Sequence, residues 1–135
     1  MKTFKQFLKE SLEDYSQNLA YLDSDASEET KRLAVSKNGY SIIHIKNPSV
    51  DLQKLAIKVS PYVIAYINNV EAQISALKND ESLFQHITNP SKEIQEWFIN
   101  QDPSNILKIS KDKLDSELAE KYKYLLSMDK AGVLK

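Results

Sequence analysis

Residues 47–68 read NPSVDLQKLAIKVSPYVIAYIN, and residues 89–110 read NPSKEIQEWFINQDPSNILKIS. Laid over each other at an offset of 42, the two stretches share Asn-Pro-Ser at their starts and proline at Pro61 and Pro103. Gln53 falls on Gln95, Ile57 on Ile99, Ile64 on Ile106 and Ile67 on Ile109. A copy upstream fits at an offset of 22, where Val35, Tyr40, Ile42 and Ile45 meet Ile57, Tyr62, Ile64 and Ile67. A further copy, shorter by two residues, lies between them and contributes Gln73, Ala76, Leu77, Phe84 and Ile87. Three columns are apolar in all four copies: Val35/Ile57/Leu77/Ile99, Ile42/Ile64/Phe84/Ile106 and Ile45/Ile67/Ile87/Ile109. Self-similarity at a fixed period of this length is the mark of a repeat architecture.

Each copy reads as two short helices. In the first, Leu52, Leu55, Ala56 and Val59 recur at three-to-four spacing. It stops at Ser60-Pro61 or Asp102-Pro103, because a residue before proline avoids the helical region. Asn47 and Asn89 are predicted as N-caps with proline at the first helical position. Ser60 and Asp102 are predicted to cap the second helix, while Asn38-Gly39 and Asp80-Glu81 make the break in the other copies. One such pair cannot cover its own apolar side, whereas stacked neighbours share a continuous core. The expected class is therefore all-α: a short α-solenoid of about four two-helix repeats over residues 26–110, or a compact bundle of the same pairs.

The flanks read as caps on a single domain of residues 1–135. Thr3 and Gln6 form a capping box, and Phe4, Phe7, Leu8, Leu12, Tyr15 and Leu19 follow at helical spacing, predicting an amphipathic helix over residues 1–22. A polar linker spans residues 23–27. Leu114, Leu118, Tyr122, Leu125 and Leu126 predict a capping helix within residues 111–135, starting between Asp112 and Asp115, with Gly132 as its terminator.

Composition excludes several function classes. No cysteine is present, so disulfides, thiolate metal sites and a cysteine nucleophile are absent. Two glycines are too few for phosphate-cradling loops. No apolar run is long enough to span a membrane, and the first residues resemble no secretory signal, which points to a soluble intracellular protein. The net charge of −1 is uneven: residues 1–10 and 108–135 are basic and the middle is acidic. Arg32 is the only arginine, so the dense, arginine-rich face of a nucleic-acid binder is missing.

Candidate contact residues come from the repeat register. His44, Tyr66, His86 and Lys108 share one repeat position and form a candidate partner-contacting stripe, against the plainer reading of ordinary solvent-facing positions. His44 and His86 lie two units apart, roughly 20 Å at ordinary helix spacing, too far to share one zinc ion. Trp97 either fills space against the C-terminal helix or, if exposed, anchors a partner. Glu28-Glu29 and Asp80-Glu81 suit helix starts better than acid–base chemistry, and Asp23 with Asp25 lacks the EF-hand pattern. No hydrolase, Walker or zincin motif occurs, and no cofactor is implied.

Met1-Lys2-Thr3-Phe4-Lys5-Gln6-Phe7-Leu8-Lys9-Glu10 resembles the capsid-targeting leader of internal head proteins from T-even-like tailed phages. Those leaders end in an aliphatic–any–Glu signal for the prohead protease, matched here by Leu8-Lys9-Glu10 before Ser11. The triplets Ile94-Gln95-Glu96 and Leu118-Ala119-Glu120 fit the same signal, but Glu10 is the one beside a terminal helix turn. The apolar stripe runs on from Phe4 to Leu19, a pattern that would instead fold residues 1–10 into the body. The Asn-Pro-Ser repeats are similar to phage helical repeats of unknown function. The resemblance implies a phage protein targeted into the virion head, cut after Glu10 and released into the host cytoplasm with the DNA. The solenoid pattern and the lack of a catalytic constellation point to a non-enzymatic module that binds another protein, in this version a host defence or regulatory protein. Its alternative is a structural capsid or scaffold accessory protein of the virion.

Overall fold

In the computed structural model, which describes Thr3 and residues 26–130, a ten-residue α-helix followed by a six-residue 3-10 helix recurs along the chain. The pairs are α1 (Glu28–Lys37) with η1 (Gly39–His44), α2 (Val50–Val59) with η2 (Pro61–Tyr66), α3 (Val70–Asn79) with η3 (Glu81–His86), and α4 (Lys92–Gln101) with η4 (Pro103–Lys108). One residue joins the members of each pair: Asn38, Ser60, Asp80 or Asp102. Two helices follow, α5 (Ser116–Lys121) and α6 (Lys123–Lys130), and no strand occurs among the described residues.

The helix starts differ from the sequence expectation. Ser49 and Ser91, not Asn47 and Asn89, are the N-caps of α2 and α4, their hydroxyls accepting from the Leu52 and Ile94 amides at 3.2 and 3.3 Å. Proline therefore precedes the cap instead of occupying the first helical position. Asn47 turns the chain with φ 50°, a left-handed conformation that asparagine tolerates better than most residues. Ser27 and Asn69 cap α1 and α3 in the same way as the two serines. At the second members, Asn38, Asp80 and Asp102 accept from the amide two residues on. Ser60 caps nothing there, because its hydroxyl accepts instead from the Gly39 amide at 3.0 Å.

The short members are 3-10 helices because their bonds reach back three residues. The amides of Ser41, Val63, Leu83 and Asn105 donate to Asn38, Ser60, Asp80 and Asp102 at 2.8–3.2 Å. Ile45, Ile67, Ile87 and Ile109 close the turns by donating to Ile42, Ile64, Phe84 and Ile106. Side chains three apart eclipse in a 3-10 helix, so the second and third apolar columns point the same way. All twelve residues of the three columns are buried, none more than 6% exposed. Each large aliphatic side chain sealed from water this way contributes about 2 kcal/mol.

The chain divides into two compact units, Met1–Leu83 and Phe84–Lys135. In the first, α2 packs on both α1 and α3, a solenoid-like succession, with η1 and η2 in contact beneath. Small residues on the inner face, Ala34 and Ala56, allow the backbones to approach. Approach is closest at Gly39, where an added Cβ would lie 2.3 Å from the Ala56 carbonyl oxygen and 2.7 Å from Ser60 Cβ.

In the second unit Phe98 takes the place of those alanines and stacks on Phe84, centroids 3.9 Å apart and planes 11° apart. Gln95, 2% exposed, ties the unit together: Nε2 donates to the carbonyls of Pro90 and Lys113, and Oε1 accepts from the Asp115 amide. Gln53 and Gln73, at the same repeat position, donate to the Pro48 and Ile67 carbonyls. The C-terminal segment begins at Ser116 with Asp115 as its cap. A break at Tyr122 (φ −109°, ψ 19°) separates α5 from α6, which packs on η4. The expected helix over residues 1–22 and the terminator Gly132 lie outside the described residues.

Gly39→Ala is expected to lower stability by about 2 kcal/mol, since backbone rather than a flexible side chain blocks the new methyl; urea denaturation measures it. Bonds from Ser104 hold the Asp102 carboxyl below its ordinary 3.8. That cap is complete at neutral pH and is lost as pH falls through the lowered folded value. An NMR titration of Asp102 with a midpoint at or above 3.8 would contradict this reading.

Candidate functional site

The 3-10 helices that point isoleucines inward leave other positions facing out. On η1 and η2 these positions carry Tyr40, Ile43, Tyr62 and Tyr66, which are 38%, 47%, 61% and 63% exposed. Tyr40 and Tyr66 meet edge to face, with ring centroids 6.2 Å apart and planes at 71°. Beside them, Ile43, Pro48, Gln53 and Tyr66 surround a recess of about 270 Å³ that reaches the buried Ile42, Ile45 and Ile67. Lys46, just after η1, is exposed and His44 is half-buried within η1. The arrangement is an apolar, aromatic surface with hydroxyls at its tips. It suits contact with another molecule's apolar side chains and offers no nucleophile–base pair.

The expected stripe is divided by the fold. His44 and Tyr66 belong to the first unit, while the half-buried His86 and the exposed Lys108 belong to the second. Trp97 is half-buried on α4, neither sealed like its neighbour Phe98 nor as open as Tyr62 and Tyr66. The candidate processing residues Leu8, Glu10 and Ser11 lie outside the described residues. No cluster of three or more metal-ligating side chains occurs among the described residues. No described helix is long and apolar enough to cross a membrane.

Titratable groups with displaced pKa values serve structure. Lys92 is raised chiefly by its bond to Glu117, which links α4 to α5. Asp112 is lowered chiefly by the Ser110 hydroxyl. Neither lines the aromatic recess.

Sequence reading placed Tyr66 among the contact candidates but passed over Tyr40, Ile43 and Tyr62. A signal was present in the register: the position of Tyr40 and Tyr62 is filled by Ser82 and Ser104 in the other copies. A position that takes either tyrosine or serine tolerates a large change in side-chain volume, which a close-packed core does not. Comparison with family models, curated proteins and solved structures finds no match for this chain.

Core and surface of the same 3-10 helix should separate cleanly. Tyr66→Ser is expected to change stability by no more than about 0.5 kcal/mol, whereas Ile64→Ala, at a site 0% exposed, should cost about 3 kcal/mol. Chemical denaturation of the two variants checks the contrast; equal losses would mean that the tyrosine belongs to the core.

Proposed function

We propose that this chain is a non-enzymatic protein-binding module that uses the aromatic surface of η1 and η2 to engage its partner. The observation carrying this reading is the exposure of Tyr40, Ile43, Tyr62 and Tyr66 on η1 and η2, with Tyr40 in ring contact with Tyr66 and Ile43 lining the same recess as Tyr66. Tyrosine gives a large contact area at small conformational cost and is enriched at the centres of protein interfaces. Scattered exposed apolar residues are ordinary, but a contiguous group beside a recess marks a contact surface.

The leader-like residues Met1 to Glu10 support a narrower version: a tailed-phage protein packaged in the virion head and delivered to the host cytoplasm, where it binds a host defence or regulatory protein. Mass spectrometry of purified virions should then find the protein with a new terminus at Ser11. The binding reading has its own test, affinity purification from infected cells with the natural chain and with a Tyr62→Ser/Tyr66→Ser variant. A partner recovered by the first and depleted about tenfold by the second is expected. Identical recovery would remove the aromatic surface from the interface.

A further inference from the structure

A second surface of the first unit has different chemistry. A groove of about 590 Å³ runs along α1, α2 and α3, within the range that holds a drug-sized ligand or a short peptide segment. Its apolar base is formed by Leu55, Ile57, Ala72 and Ala76. Ser75 opens it, because this position holds Leu33, Leu55 or Trp97 in the other copies. Along α2, the stretch from Asp51 to Lys58 that borders the groove is about 10 Å long, two helical turns.

The rim is uneven in charge. Arg32, Lys54 and Lys58 border the groove against Asp51 and Asp80. Asp80 is already engaged, its carboxylate accepting from the amide and hydroxyl of Ser82 at 3.1 and 2.6 Å. Lys54 is paired across the helices with Glu71 at 2.9 Å. Asp51 sits in the first turn of α2, where the helix dipole favours an acid. The Arg32 guanidinium and the Lys58 ammonium have no ion-pair or hydrogen-bond partner among the described residues. Two uncommitted cations beside an apolar trough complement a segment that offers carboxylates next to apolar side chains.

We infer that this groove docks an acidic, amphipathic peptide segment of a partner protein, with apolar side chains over Leu55 and Ala76 and carboxylates at Arg32 and Lys58. The inference rests on the protein-binding reading but on a surface separate from the aromatic one. Arginine meets a carboxylate with two parallel N–H donors, and lysine adds a point charge, so the attraction should weaken with salt.

The test uses the full chain and fluorescence anisotropy with a short labelled peptide of glutamate and leucine. Controls replace its glutamates by lysine, or its leucines by serine, and a single-stranded oligonucleotide serves as a polyanion without apolar side chains. Binding of the glutamate–leucine peptide alone, weakened by salt and by about tenfold or more in an Arg32→Glu/Lys58→Glu variant, is the expected result. Both residues project from exposed helix positions, so the variant should keep its far-ultraviolet circular dichroism. Tyr62→Ser/Tyr66→Ser should leave this peptide's binding unchanged. Failure to bind, equal binding of the lysine peptide or the oligonucleotide, or indifference to the charge reversal would overturn the groove assignment. Partner recovery through the aromatic surface would be untouched by that failure.

Discussion

Everything in this protein depends on covering three apolar columns that no single helix pair can cover. A ten-residue helix and a six-residue 3-10 helix place Ile57, Ile64 and Ile67 on one side of one pair. Left alone, that side would face water and the pair would be unstable, since isolated helices of this length are marginal. In the first unit α2 meets this demand by packing between α1 and α3. In the second, the Phe84–Phe98 stack, the bonds of Gln95 and the docking of α6 on η4 meet it by other means.

The Asn-Pro-Ser signature shows how three residues divide the labour of a tight connection. Asparagine turns the chain at Asn47, proline supplies a carbonyl for the glutamine of the next helix, and serine satisfies the helix's free amides. The buried polar side chains follow the same economy. Ser41 and Asn105, at equivalent positions, each donate to the carbonyl seven residues earlier, on Ala34 and Phe98. No buried side-chain nitrogen or oxygen among the described residues lacks a partner.

The same six-residue helix serves core and surface at once. On η2, Val63 and Ile64 are sealed while Tyr62 and Tyr66 stand open. Changes to the outward positions therefore carry little penalty for the fold, which leaves them free for recognition. The outward positions differ between copies: one holds Tyr40 and Tyr62 but Ser82 and Ser104, and another holds His44, Tyr66, His86 and Lys108. That variation concentrates the aromatic surface in one unit.

The all-α class, the break at each pair and all three core columns were legible in the sequence, because burial demands an apolar residue at every equivalent position. Asp80 and Asp102 were readable as caps for a similar local reason. Asn47 and Asn89 were misplaced as caps because asparagine suits both a cap and the turn before it, which is left-handed at Asn47, and only the path of the chain selects between them. Tertiary structure alone decided that Ser60 turns away from its own helix to serve Gly39, that the histidine and lysine stripe divides between two units, and that Tyr40 and Ile43 adjoin Tyr66. Periodicity reports which side of a helix is inside; which residues of different helices become neighbours is set by how the helices pack.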